Sequence, residues 1–328
     1  MNIRQIDYQQ YKGEINRFSL PSASAEYVEF CEKFWQARPV FIGVFNDSGN
    51  KLKAVLPLFQ RQENGMAILE GAVKTYTEVL NIDSDTALNL NIDLFAAFIK
   101  KNYKFDLLDL SICPIINKEI AKLNNFRART AAYAAKIEER DSERVFKEII
   151  GKKSRNQTRL AYKNGLTKEL GGDIEKFYLL YQSSMQRLGA VPKEKKYFYD
   201  LKSAFGDNFH VLFALKGGKA VGANLWVVKN QYLSLMFNAS DKEYWNICVN
   251  NFLYWEMISW GLKNNIIWFD YGINAPRDRE QIHFKESYGA SACPICHFLV
   301  IKTPGAYFKI YRKKLVFLCK LLIKKVKR

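Results

Sequence analysis

Trp268-Phe269-Asp270-Tyr271-Gly272, with His283-Phe284-Lys285-Glu286-Ser287-Tyr288-Gly289-Ala290 beyond it, is the stretch on which the reading of this chain turns. An apolar run that ends on an acid, a phenol and a glycine reads as a buried strand with a special carboxyl end. Acids and glycines collect there when an α/β sheet holds a ligand or lets a backbone approach closely. Lys285 then returns among aromatics, where no structural need for charge is visible. It either stabilises negative charge that develops during a group transfer or lies over the rings as a surface lysine. Asp270 either serves the same chemistry or caps the loop Asn274-Ala275-Pro276.

The residues before this stretch alternate helix and strand signals. Helices are predicted at about 144–164, 173–188 and 194–205, then strands at 209–215, 219–229 and 231–239, joined by Lys216-Gly217-Gly218 and Lys229-Asn230. A helix at 246–262 and strands at 266–271 and 292–302 complete this half. The first half has a similar order. Ser24 caps a helix to about 36 with Tyr27, Phe30, Cys31 and Phe34 on one face. Strands at 40–45 and 54–59 flank the turn-rich 46–50, and helix 91–101, strand 105–110, helix 115–123 and strand 129–137 follow. The expectation is an α/β (α+β) protein of two tandem domains, 1–143 and 144–302, each a mixed sheet flanked by helices, with a tail at 303–328. The boundary falls in the charged segment 138–144.

The chain has 328 residues, 48% of them hydrophobic, enough for two cores, and a formal charge of +17 that favours anionic partners. Ten Lys or Arg and no acid lie in 302–328. From 306 onward Phe308, Tyr311, Leu315, Leu318, Leu322 and Val326 share a helical face flanked by lysines, the pattern of an interfacial helix on an anionic membrane or of a terminal helix packed on the domain. The first residues lack the apolar core of a secretory signal, and six irregularly spaced cysteines make no disulfide framework. A cytoplasmic protein, peripheral at the inner face of the cell membrane, is expected.

Lys152, Arg155, Arg159 and Lys163 form one stripe on a predicted helix, with no acid between Glu148 and Glu169 to neutralise them. Such a stripe binds phosphates, with arginine supplying paired contacts, or is a solvated face. Cys293-Pro294-Ile295-Cys296-His297 has the spacing of a haem-attachment motif. Strand residues three apart face opposite sides, however, so no metal site is expected there. Three scattered histidines offer no triad.

The ordered set Lys153-Ser154-Arg155-Asn156-Gln157-Thr158-Arg159, Ser184-Met185-Gln186-Arg187-Leu188-Gly189, Phe205-Gly206-Asp207, Asn251-Phe252-Leu253-Tyr254-Trp255-Glu256, Phe269-Asp270-Tyr271-Gly272 and Phe284-Lys285 with Tyr288-Gly289-Ala290 resembles the FemAB-like family, tandem relatives of the GNAT acyltransferase fold. The resemblance covers about 150–295. It implies transfer of an acyl or aminoacyl group from an ester or thioester to an amine on a nucleotide- or lipid-linked cell-envelope precursor. The donor is aminoacyl-tRNA or acyl-CoA, and no cofactor is tightly bound. It implies Lys285 and Asp270 as catalytic residues, and Lys152, Arg155, Asn156, Arg159, Asn238, Asn251, Tyr254, Tyr271 and Tyr288 as the substrate-binding set. The alternatives are a non-catalytic protein that binds membrane or RNA, and an acyl-CoA-dependent acetyltransferase acting on a small aminosugar.

Overall fold

The structure, a computed structural model, describes residues 2–15, 20–72, 75, 80–81, 92–113 and 127–308. The first half comprises β1 (Asn2–Ile6), α1 (Tyr8–Ile15), α2 (Ala25–Trp35), β2 (Arg38–Phe45), β3 (Leu52–Glu63), β4 (Met66–Glu70), β5 (Leu80–Asn81), α3 (Ile92–Asn102), β6 (Leu107–Ile112) and β7 (Arg127–Lys136). The second comprises α4 (Ser142–Arg144), a π turn (Val145–Ile149), α5 (Lys152–Lys163), β8 (Leu166–Gly171), α6 (Ile174–Leu188), α7 (Lys195–Phe205), β9 (Phe209–Lys216), β10 (Lys219–Lys229), β11 (Tyr232–Ser240), α8 (Val249–Lys263), β12 (Trp268–Asn274), α9 (Arg279–Glu286) and β13 (Ser291–Ile301).

Among the described residues the strands form one mixed sheet in the order β1-β2-β3-β4-β6-β13-β7-β12-β11-β10-β9-β8, with β5 on β3. The expected α/β class with a mixed sheet and flanking helices holds. The sheet nevertheless runs across the expected boundary: β13, from the second half, inserts antiparallel between β6 and β7 of the first. It can do so because both its faces find apolar cover. Ile295 packs with Leu20 and Ala132, and Cys296 with Leu108 and Leu110.

A second bond between the halves lies in side chains. Phe30 of α2 meets Tyr197 of α7 edge-on at 5.0 Å, within a core that also takes Phe59, Phe198 and Phe213. On the other face of the sheet α8 is apolar on several sides, with Val249, Phe252, Leu253, Met257 and Ile258 buried against β9–β12. A helix of that kind belongs in an interior.

Three expectations need correction. The single helix expected over 144–164 breaks at Ile150 and Gly151, because Ile150 is extended and Gly151 N donates to Ser287 O at 2.8 Å. β1, α1, β4, β5, β8 and α9 have no counterpart in the elements expected from sequence. The strand expected over 266–271 continues to Asn274. The helix expected at 115–123 and the tail beyond 308 lie outside the described residues. No helix among the described residues is long and apolar enough to cross a membrane.

Candidate active site

β11 and β12 run parallel but pair only from Tyr232↔Trp268 to Ser234↔Asp270. Beyond that level both carry a bulge. Met236 is an extra residue of β11 against β10, and Tyr271 and Gly272 of β12 stand opposite a single residue of β7. A bulge bends its strand and increases local twist, so two at one level split the pair. A cleft of about 650 Å³ opens between them.

Its walls are Leu235, Met236, Phe237, Asn238 and Ser240 of β11 and Tyr271, Gly272 and Ile273 of β12. α8 contributes Asn250 and Tyr254, and α9 contributes Glu280, Gln281, Phe284 and Lys285. Ser184, Arg187 and Leu188 of α6, with Trp245, close the far side.

Lys285 is 7% exposed, and its amine donates to Gly272 O at 3.0 Å. Burial lowers its pKa to about 8, against the opposing pull of Asp270 and Asp278. Its surroundings are aromatic, and the amine lies 5.8 Å from the Tyr133 ring centre. Tyr254 stacks edge-on with Phe284 at 4.9 Å and lies 5.3 Å from both Tyr271 and Tyr288. The Tyr271 hydroxyl donates to Tyr288 O at 3.1 Å, tying β12 to the chain just after α9. Burial raises the pKa of all three phenols, that of Tyr288 up to about 12, so they remain neutral donors at ordinary pH.

Residues 152–286 match the acetyltransferase (GNAT) domain family. No curated protein sequence matches the chain. Among solved structures, FemX superposes with a TM-score of 0.65 at 13% identity, covering 92% of this chain and 98% of that one. A tandem GNAT protein from the clavulanic acid biosynthesis pathway gives 0.57 at 9%, over 92% and 99%. The C-terminal domain of a protein named as a lysylphosphatidylglycerol synthetase of Agrobacterium fabrum gives 0.56 at 12%, over 94% and 95%.

The chain has a tandem GNAT fold and superposes on FemX.

Within this tandem GNAT frame the residues expected at the site divide. Lys285, Asn238, Tyr254 and Tyr271 line the cleft. Asn238 is set by donating to Asn224 Oδ1 at 2.8 Å. Asn251 and Tyr288 are interior: Asn251 Nδ2 donates to Gln157 Oε1 at 3.3 Å, and the Tyr288 hydroxyl donates to Asn251 O at 3.1 Å.

Asp270 does not line the cleft. Alternation along β12 sends Phe269 and Tyr271 toward α8 and Asp270 through the sheet, into a cavity of about 20 Å³ beside Leu20, Tyr27 and Tyr232. Its oxygens accept from Ser234 Oγ at 3.2 Å and Gly272 N at 2.8 Å.

The stripe on α5 does not reach the cleft either, which corrects the expectation that Lys152, Arg155, Asn156 and Arg159 bind substrate beside Lys285. Arg155 donates to the carbonyls of Lys147 and Ile150, closing the π turn. Arg159 lies 5.2 Å from the ring centre of Phe146 and donates to Asn156 Oδ1. Lys152 and Asn156 face a separate hollow with Lys153, Gln157 and Leu160. Cys293 and Cys296 pack into different clusters, and among the described residues no three metal-ligating side chains come together.

Arg187, Trp245 and Glu280 are cleft residues that the sequence reading did not single out. The guanidinium of Arg187 lies 4.6 Å from the Trp245 ring centre, and the indole is fixed by donating to Ser240 Oγ at 2.9 Å. A cation in the last turn of α6, inside a motif already noticed, was the available signal.

Proposed function

We propose that this protein is an N-acyltransferase or aminoacyltransferase that works in the cleft between β11 and β12. The donor is an activated ester or thioester, aminoacyl-tRNA or acyl-CoA. The acceptor is an amine on a nucleotide- or lipid-linked cell-envelope precursor, and the reaction belongs at the inner face of the membrane. The neutral amine attacks the donor carbonyl; a C–N bond forms, and the C–O or C–S bond breaks. Lys285, as the ammonium, stabilises the oxyanion or the leaving group, a contribution of about 3–4 kcal/mol for a donor of that kind. Glu280, an acid on the cleft wall, or a water takes the proton from the amine and returns it to the leaving group. Asp270, behind the strand, supports the charge on Lys285. The strand edges that face each other across the cleft suit an extended donor arm rich in amides.

The observation that carries this reading is the burial of Lys285 on the wall of that cleft, its amine tied to Gly272 O. The test offers acetyl-CoA and a set of aminoacyl-tRNAs to the full chain, with amine-bearing envelope precursors, and follows donor loss by mass spectrometry. One donor class is expected to be consumed, and Lys285→Met is expected to slow its consumption at least about a hundredfold. Equal rates for variant and wild type would remove Lys285 from the mechanism; no loss of any donor would remove the reaction.

A further inference from the structure

We infer that the protein docks on an anionic lipid bilayer through a folded lysine face at the C-terminal end of α3, and not through its last twenty residues alone. β13 pairs with β6 as far as Ile301↔Leu107, so the chain leaving β13 runs beside the turn between α3 and β6. Lys302 lies against that turn: its amine donates to Lys100 O at 3.2 Å and sits 4.1 Å from the ring centre of Phe105. Lys100, Lys101, Lys104 and Lys302, all exposed, surround one hollow of about 550 Å³. The acid that lines it, Asp106, is already engaged: its oxygens accept from Ala67 N at 2.9 Å and Thr303 Oγ1 at 3.1 Å. Two lysines in the last turn of a helix are ordinary, because the helix dipole favours cations there. Four around one hollow, with no acid paired to any of them among the described residues, exceed that need.

The residues that follow add a second kind of group. Residues 304–308 form a helical turn in which Ala306, 1% exposed, packs on Met66, Ile68 and Leu107. Anchored there, the turn presents Tyr307 and Phe308 outward, 51% and 68% exposed. Lysines beside outward aromatics match the interface of a bilayer, where ammonium groups meet phosphates and rings settle at headgroup level. A duplex nucleic acid offers the phosphates without the apolar layer. Nine more Lys or Arg, and no acid, follow in 309–328, so the folded face and the tail are continuous in charge. Neither α3 nor Lys302 lines the cleft, and lipid binding is therefore read without turnover.

The test sediments the full chain, tail included, with phosphatidylcholine vesicles that contain or lack phosphatidylglycerol, at physiological salt. Wild type is expected to bind only the anionic vesicles. Each lysine removed from a membrane-facing surface weakens adsorption about fivefold, so the triple variant Lys100→Gln, Lys101→Gln, Lys104→Gln is expected to lose roughly a hundredfold. The matching arginine triple variant retains binding, which guards against a fold defect, and Phe308→Ser weakens it in the anionic vesicles. A glutamine triple variant within threefold of wild type would assign all binding to the tail. Failure of wild type to bind the anionic vesicles, or displacement from them by a stoichiometric duplex RNA, would equally overturn the proposal.

Discussion

The Lys285 amine and the Gly272 carbonyl oxygen meet at 3.0 Å, and that contact ties α9 to the bulge where β12 leaves β11. A cation is thereby held beside the backbone at the level where the cleft opens. Gly272 has φ +79, a left-handed conformation that glycine adopts at little cost, and this turns its carbonyl out of the regular ladder.

Lys285 should set a pH dependence of stability and of rate. Its pKa falls from an ordinary 10.5 to about 8 on folding, chiefly through burial. Between those values the unfolded chain holds the proton more firmly than the native one, so stability rises with pH across that window. Below it the cost of the buried charge is fully present. Lys285→Met is therefore expected to be at least as stable as wild type at pH 7 and to lose the rise, as measured by urea unfolding across the pH range. If the ammonium acts in the reaction, the wild-type rate falls as pH passes about 8.

Arg155 should behave as a structural residue. It caps the carbonyls of Lys147 and Ile150, so Arg155→Gln is expected to cost about 1.5–3 kcal/mol of stability, the range for hydrogen bonds made by a charged group. Michaelis constants should stay at wild-type values. A raised constant for an anionic substrate with unchanged stability would return Arg155 to the binding set.

Gly289 has φ +82, and a Cβ there would lie 2.6 Å from Ile149 Cγ2. Gly289→Ala combines left-handed strain with overpacking against the π turn, an expected loss of about 2 kcal/mol or more. Denaturant midpoints measure it. Activity should fall with it, because Gly289 follows the Tyr288 carbonyl that Tyr271 holds.

Arg187 should act on binding and not on the chemical step. Arg187→Gln is expected to raise KM for an anionic substrate about tenfold at constant kcat, the signature of lost uniform binding. Trp245→Ala should follow it in part, since the indole supports the guanidinium. A fall in kcat at constant KM would move Arg187 into the reaction itself.

Much of the second half was legible in sequence because its signals are local. The strand at Lys219–Lys229 and the helix at Ile174–Leu188 follow from apolar spacing, the turn at Gly217-Gly218, and the capping Asp173 and Gly189. β8 was not, since five of its six residues are exposed and only the β9 backbone makes it a strand. Nor was α9, eight largely polar residues with no clear apolar period, fixed by seating Phe284 against Tyr254 of α8 and Lys285 on Gly272 of β12.

Sequence alone determined the α/β class, the excess of cations and the presence of a lysine among aromatics at 284–288, because each depends on residues near one another along the chain. Tertiary structure decided that Lys285 is buried beside Gly272, that Asp270 faces away through the sheet, and that Arg155 is spent on a turn. It also decided that Lys302 joins α3. Those outcomes rest on strand register and on two bulges at one level, and hydrogen bonds between segments tens to hundreds of residues apart fix both.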